Sequence, residues 1–389
     1  MATTFTRPPQ RDSWFAPVSI DMVVKVAKTS FFHPFIAWII PLCFRAQNMM
    51  WDAPPMLASI AWAAFISVCW IAGAINRRLA FGLPREVNLD DEVIVITGGA
   101  SGLGMLVAEV YGMRGASVAV LDVREMENGE SRGVTYYKCD VSDKEQVARV
   151  AGEIERDVSS HFPALQPHLP PLHRNMSTDS SLNQLGTPTV LINNAAIVVG
   201  KPLLEMTVPE IEQSLTTNLL SHFYTLKTFL PALTRSPNGG TVVTLSSVIG
   251  HTGAAQLTDY AAAKAGVTAL HKSLAAELRV SHPEIRMVLV TPGQISTPLF
   301  YGVQTPNAFL APVVEPVDVA KEIIAAIDNG YSTSIAMPLY ARWIDWFNVL
   351  PIGVQAVARR VAGVDEGMKT FIGRKGNQSG KNGVLIEPF

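Results

Sequence analysis

The chain has 389 residues, of which 48% are hydrophobic and only 16% charged, with a formal net charge of −2. Ordinary soluble domains carry about 25% charged residues, so the length fits one large domain plus extensions and the composition points towards a membrane. The near-neutral charge leaves no electrostatic footprint for nucleic acid, and Cys43, Cys69 and Cys139 are too scattered for a metal site and read as free thiols of a reducing compartment.

Residues 1–30 form a mixed tail, with Arg7, Arg11, Lys25 and Lys28 set against Asp12 and Asp21, unlike an acid-free transit peptide. "FFHPFIAWIIPLCF", Phe31 to Phe44, is apolar but interrupted by Pro34 and Pro41. It is too short to span a bilayer alone, which takes about 20 residues, and is expected to be re-entrant or interfacial. Pro55 to Ile75 is long enough for one helical span, with Trp51, Trp62 and Trp70 in and around it. A cleaved signal peptide would begin earlier, and a buried core helix is the competing reading of a helix apolar all round. Residues 31–78 are therefore expected to be a membrane anchor, as one span or a hairpin. Arg77 and Arg78 would favour a cytosolic position for the chain beyond them.

From Glu92 strands and helices alternate. "EVIVIT", "ASVAVLD", "VTYYKCD", "TVLINNAA", "GTVVTLSS", "IRMVLVTPG" and "TSIAMP" read as strands, and "GLGMLVAEVYGMRG", "DKEQVARVAGEIERDV", "VPEIEQSLTTNLLSHFYTLKTFLPALT", "LTDYAAAKAGVTALHKSLAAELRV" and "PVDVAKEIIAAIDNG" as helices between them. Strict alternation implies an α/β fold with a Rossmann-like, doubly wound parallel sheet. His161 to Pro188 breaks the pattern and reads as a surface insertion, whose histidines lack partners at ligand spacing.

"TGGASGLG", Thr97 to Gly104, comes after a strand and opens a helix. Gly98 permits the tight turn, Gly102 lets backbone approach a pyrophosphate, and Gly104 lets helix pack on strand; the helix N-terminus offers free N–H groups to phosphate. The carboxylate of Asp122, at the end of the second strand, suits two ribose hydroxyls and would repel a 2′-phosphate, which favours NAD over NADP; Arg124 works against that preference. Tyr260 and Lys264 share one helix face, since positions four apart are neighbours. A nearby ammonium stabilises a phenolate, so Lys264 is expected to lower the Tyr260 phenol from about 10 towards working pH and make it a general acid/base. Ser247, just past a strand, can hydrogen-bond a substrate oxygen.

The glycine spacing, "NNAA" at Asn193 to Ala196, and Ser247, Tyr260 and Lys264 in chain order resemble the short-chain dehydrogenase/reductase family over about residues 91–338. The resemblance implies a catalytic set of Asn218, Ser247, Tyr260 and Lys264, with Asn218 holding a relay water. It implies that Thr97, Gly98, Ser101, Gly102, Leu103, Gly104, Asp122, Asp140, Val141, Asn194, Tyr260, Lys264, Pro292, Gly293 and Thr297 bind the nicotinamide cofactor. Asp140 and Val141 would lie near adenine, Lys264 at the nicotinamide ribose, Pro292 and Gly293 beneath the nicotinamide, and Thr297 at its carboxamide. Ala196 departs from the glycine usual in this motif.

Leu299 to Pro312 corresponds to the family's substrate loop, where Leu299, Phe300, Tyr301, Phe309 and Leu310 form an apolar pocket or simply core. Residues 339–389 form an extension whose Trp343, Trp346, Phe347, Val349, Leu350 and Ile352 suit a membrane interface, a docking helix or a dimer face. The whole plan resembles the membrane-bound retinol dehydrogenase and 17β-hydroxysteroid dehydrogenase-like branch. That resemblance implies a lipophilic alcohol or ketone as substrate, a place on endoplasmic reticulum or lipid droplets with the catalytic domain facing the cytosol, and leaves room for a homodimer. A biosynthetic ketoreductase and a cofactor-binding scaffold without turnover are the other readings.

Overall fold

The computed structural model describes residues 19–126, 131–161, 187–303, 305 and 309–372. They fall into two compact units that divide between Leu83 and Pro84, with Asn307–Pro312 joining the first. Most of the expected insertion, residues 162–186, lies outside the described residues.

The first unit is helical: α1 (Ile20–Thr29), α2 (Pro34–Ala46) and α3 (Pro54–Phe81). Part of the expected N-terminal tail is thus a helix. Ser19 caps α1, its hydroxyl accepting from the Met22 amide at 3.4 Å, and Asp21 in the first turn complements the helix dipole. Pro34 interrupts the next segment as expected, but Pro41 does not. Pro34 opens α2, where a missing N–H is harmless, and Pro41 lies inside the helix with its ring buried. α3 folds back along α2. The Trp38 indole donates to the Ser67 hydroxyl (3.0 Å) and the Trp70 indole to the Phe32 carbonyl (3.1 Å). Ala37, Met56, Ala63 and Ile66 are buried, whereas Phe65, Val68, Ile71 and Ile75 face outward. α3 is long and apolar enough to cross a membrane by length and composition. α1 and α2, bent by 54° at their junction, pass the same test only as a broken pair.

The second unit is built on seven parallel strands: β1 (Val93–Thr97), β2 (Ser117–Asp122), β3 (Val134–Lys138), β4 (Val190–Asn193), β5 (Thr241–Leu245), β6 (Arg286–Pro292) and β7 (Thr333–Met337). Their order is β3-β2-β1-β4-β5-β6-β7. Alternate residues of each strand serve opposite faces. Ile94 and Ile96 of β1 pack with Leu103, Val107 and Tyr111 of α4 (Gly102–Met113) and with Ile323 of α10 (Pro316–Asp328). Val93 and Val95 pack with Val147 and Ile154 of α5 (Lys144–His161) and Phe229 of α7 (Ser221–Leu233). Both faces are covered, which explains the unbroken β-branched runs. Strand order reverses between β1 and β4, and the crevice beyond their carboxyl ends is where such sheets bind ligands.

The remaining helices are α6 (Val208–Leu215), α8 (Ile249–Thr252), α9 (Thr258–Ser281), α11 (Ile344–Phe347) and α12 (Ile352–Val361). At the opposite end of the sheet, buried Arg85 holds Glu92 in a bidentate pair (2.8 and 2.9 Å) and donates to the Thr241 hydroxyl (2.9 Å). The C-terminal extension packs on this unit. Arg359 pairs with Asp365 at 2.5 Å and donates to the Thr252 carbonyl at 2.7 Å, while Trp343, Trp346, Val349 and Ile352 remain exposed.

Candidate active site

The glycine loop is fixed by β2 and β4. The Gly98 amide donates to the Leu121 carbonyl at 2.8 Å. The Asn194 side-chain amide donates to the carbonyls of Thr97 (3.1 Å) and Gly98 (2.8 Å), and the Thr97 hydroxyl accepts from the amides of Asn194 (3.0 Å) and Ala195 (3.1 Å). Gly98 has φ +65° and Gly102 φ +59°, conformations that glycine adopts without strain. A Cβ on Gly104 would lie 2.5 Å from the Gly98 carbonyl and 2.6 Å from the Asn194 amide nitrogen, so α4 can approach the loop this closely only without a side chain.

Asp122 closes β2. Its two carboxylate oxygens accept from the backbone amides of Ala100 and Arg124, each at 3.1 Å, which holds the acid at the mouth of the loop. Asp140 lies just past β3 and is oriented by Ser142, whose hydroxyl donates to it at 2.6 Å. Val141 is buried beside it.

The second set comes from β5, α9 and the end of β6. Ser247 is buried just past β5, its hydroxyl accepting from the Ile249 amide at 3.3 Å. Tyr260 and Lys264 sit one turn apart on the buried face of α9. The Lys264 ammonium lies 5.7 Å from the Tyr260 ring centre and donates to the Leu245 carbonyl at 2.8 Å. The Gly293 amide donates to Met337 at 2.7 Å, which turns the chain after Pro292. Thr297 stands opposite Gly102, its methyl 3.7 Å from where a Cβ would be.

One cleft of about 410 Å³ takes in both sets. Gly98, Ser101, Gly102, Leu103, Asp122, Asp140, Val141 and Asn194 line one part, and Ser247, Tyr260, Lys264, Pro292, Gly293 and Thr297 the other. Thr97, Gly104 and Asn218 stand behind this wall, buried. Of the proposed substrate loop, Leu299 and Phe300 line the cleft, with the Phe300 ring edge-on to Tyr260 at 5.8 Å between centres. Tyr301 is exposed, and Phe309 and Leu310 fall in the first unit.

One electrostatic expectation is corrected. Burial pushes the Tyr260 phenol above its ordinary value, with only the Ser247 hydrogen bond acting in the lowering direction. The same burial brings the Lys264 ammonium down to about 8. Desolvation outweighs attraction here, because the ammonium is committed to the Leu245 carbonyl rather than to the phenol oxygen.

Ser214 and Asp259 escape the sequence reading. Asn218 does not sit in regular α-helix but in a π turn, Thr216–Leu220, where it is completely buried. It is held there by Ser214, and Ser214 by Asp259. The signals for them are the four-residue spacing of Ser214 and Asn218 and an acid immediately before Tyr260.

The donors and spaces present fit a dinucleotide. The cradle at Gly98 and Gly104 would be filled by any Cβ, the N-terminal turn of α4 opens on the cleft, and an acid closes β2. The sequence matches the family model of short chain dehydrogenases over residues 92–161 and 177–307. It is 31% identical over 253 residues to short-chain dehydrogenase/reductase family 16C member 6 of Bos taurus, covering 62% of this chain and 71% of that protein. It is 29% identical over 315 residues to retinol dehydrogenase 10 of Homo sapiens, covering 77% of this chain and 92% of that one. A short chain dehydrogenase from Burkholderia cenocepacia, solved in complex with NADP, shares the fold with a TM-score of 0.52 at 22% identity, over 71% of this chain and 99% of that one. The chain belongs to the short chain dehydrogenase family and is an NAD(P)-dependent oxidoreductase acting between alcohols and carbonyl compounds.

Proposed function

We propose that the chain interconverts a lipophilic alcohol and its ketone or aldehyde at a membrane surface, with NAD preferred over NADP. The observation that carries this reading is the meeting of Ser247, Tyr260 and Lys264 with Leu299 and Phe300 in the cleft that also holds the glycine loop. A substrate oxygen between Ser247 and Tyr260 would find a hydroxyl that orients it and a phenol that exchanges its proton. In reduction the protonated Tyr260 gives that proton to the carbonyl oxygen; in oxidation its phenolate takes the hydroxyl proton. Bound NAD(P) supplies or accepts the hydride. Asn218 would order the water through which the proton reaches solvent.

NAD is favoured because the Asp122 carboxylate stands where a 2′-phosphate would meet negative charge. A lipophilic substrate is supported by the apolar wall and by the names of the retinol dehydrogenase relatives. Membrane association is supported by α3, with Arg77 and Arg78 near its end favouring a cytosolic catalytic unit on endoplasmic reticulum or lipid droplets. The test is cofactor consumption by the full chain in detergent, with retinol, steroids and long-chain alcohols and the matching carbonyls, using NAD and NADP in parallel. Turnover of none of them by the intact protein refutes the reading. Protease protection in microsomes tests the topology, and a protected catalytic unit overturns it.

A further inference from the structure

Asp259 immediately precedes Tyr260 and has no part in the reaction described above. It is 5% exposed, and no Lys or Arg pairs with it among the described residues. Its Oδ2 accepts the hydroxyl proton of Ser214, and its Oδ1 is buried without a hydrogen-bond partner. A carboxyl group removed from water costs stability to the extent that its oxygens lack partners. The first turn of the 24-residue helix α9 offsets part of that penalty through its dipole.

The carboxylate gives the neighbouring hydrogen bonds a direction. Ser214 gives its hydroxyl proton to Asp259, and its oxygen is left to accept from the Asn218 side-chain amide at 3.1 Å. That agrees with the orientation the Ile197 backbone imposes on the Asn218 amide. Its Nδ2 faces Ser214 and also donates to the Ile197 carbonyl at 2.9 Å, and its Oδ1 accepts from the Ile197 amide at 2.8 Å. Ser214 and Asn218 are both fully buried, so water cannot substitute for a lost link. Without the carboxylate the Ser214 hydroxyl loses its acceptor and can rotate, and its bond to Asn218 loses its fixed direction. Ile197 and Thr217 both line the cleft, so the ladder ends on the cleft wall. Single π turns of this kind are rare and frequent at functional sites.

We propose that Asp259 is a positioning residue: through Ser214 it braces Asn218 and so holds the π turn and Ile197 in place beside Tyr260 and Lys264. The proposal rests on the oxidoreductase reading of the site. Asp259 itself does not line the cleft.

The test compares full-length Asp259→Ala, Asp259→Asn, Ser214→Ala and the Ala/Ala double variant in detergent, with retinol and NAD as the probe and Tyr260→Phe as control. Two quantities are read: kcat and KM, and amide exchange of the peptide containing Ile197. Asp259→Ala and Ser214→Ala should each lower kcat about tenfold with KM within about twofold, and speed exchange at Ile197. The double variant should be no worse than the poorer single one, because both break one chain of bonds. Asp259→Asn, whose carbonyl can still accept from Ser214, should stay close to the parent in both readouts. Parental kcat and exchange in Ser214→Ala, or additive losses in the double variant, overturn the proposal. If Asp259→Ala fails to fold, Ser214→Ala and Asp259→Asn decide alone. Should the parent turn over none of retinol, steroids and long-chain alcohols, or Tyr260→Phe match it, the proposed function fails, and exchange at Ile197 still decides whether the ladder exists.

Discussion

The ammonium of Lys264 donates to the main-chain carbonyl of Leu245 across 2.8 Å, at the carboxyl end of β5. This one bond ties helix α9 to the sheet at the level of the cleft and places Tyr260, one turn earlier, against Ser247. It also fixes a positive charge in a setting where only 2% of the residue is exposed. The lysine is therefore both the anchor of the site and a charge that burial disfavours.

Removing the Tyr260 hydroxyl tests the chemistry. Tyr260→Phe keeps the ring that packs against Phe300 but leaves no proton to exchange. Turnover should fall by about 10²–10⁴-fold, the range for a positioned general acid/base. Binding of NADH, monitored by its fluorescence, should be little changed. A Phe variant with parental kcat would refute the mechanism.

Lys264→Met separates function from stability. The fold holds the Lys264 pKa at about 8 against 10.5 for the free side chain, so the folded state binds fewer protons between those values and stability rises with pH across that window. At neutral pH the buried charge therefore opposes folding by roughly 3 kcal/mol. Methionine removes that penalty and leaves only the Leu245 carbonyl without its partner, a loss of about 1–3 kcal/mol. The variant should be inactive yet unfold no earlier than the parent in a thermal melt. A clear fall in Tm would show that the bond to Leu245 outweighs desolvation.

Gly104→Ala tests the cradle. The added methyl meets backbone at the Gly98 carbonyl and the Gly99 Cα, and the Asn194 side-chain amide that is itself bonded to the loop, so the loop must move. Overpacking of this kind destabilises by about 1–3 kcal/mol. Because the displaced loop is the one that lines the cleft, affinity for NADH should fall at least tenfold while the fold survives. Unchanged affinity in a titration would dissociate this loop from cofactor binding.

Asp122→Ser addresses cofactor choice. It removes the charge opposed to a 2′-phosphate and leaves nearby Arg124 free to act. KM for NAD should rise and KM for NADP fall, shifting the preference by about one to two orders of magnitude. A ratio that does not move would assign discrimination to other residues of the mouth.

The sheet is legible in the sequence because β-branched runs of four to seven residues, each covered on both faces, have no competing reading at that length. The placement of Ser247, Tyr260 and Lys264 is legible for a similar reason: a helical spacing and a strand end fix where those side chains emerge. What escapes is set by tertiary contact. The π turn at Thr216–Leu220 lies within a run that reads as continuous helix, and only the ties of Asn218 to Ser214 and Ile197 reveal why the turn widens there. Pro41 reads as a break, yet α2 continues through it, its ring buried within the helical unit. The ionisation of Tyr260 departs from expectation because sequence spacing reports the neighbouring charge but not the depth of burial.

Acid stability is governed in part by two histidines that the reaction does not use. His222 on α7 and His271 on α9 are each buried, with an Nδ1 that has no hydrogen-bond partner. Burial, with Lys264 and His271 facing His222 and Lys272 beside His271, pushes both below the ordinary value, His271 to about 4. Each ring is therefore neutral in the folded chain and protonated in the unfolded chain as pH drops below about 6.5. The unfolded state then binds more protons, so stability is complete above that pH and falls progressively towards pH 4. Between pH 8 and 5 His271 alone should remove roughly 2 kcal/mol. Urea unfolding of the full chain in detergent should show this fall, and His271→Leu should flatten it measurably. An identical pH 8 to pH 5 difference in parent and variant would mean that this histidine meets solvent or a proton acceptor in the folded protein.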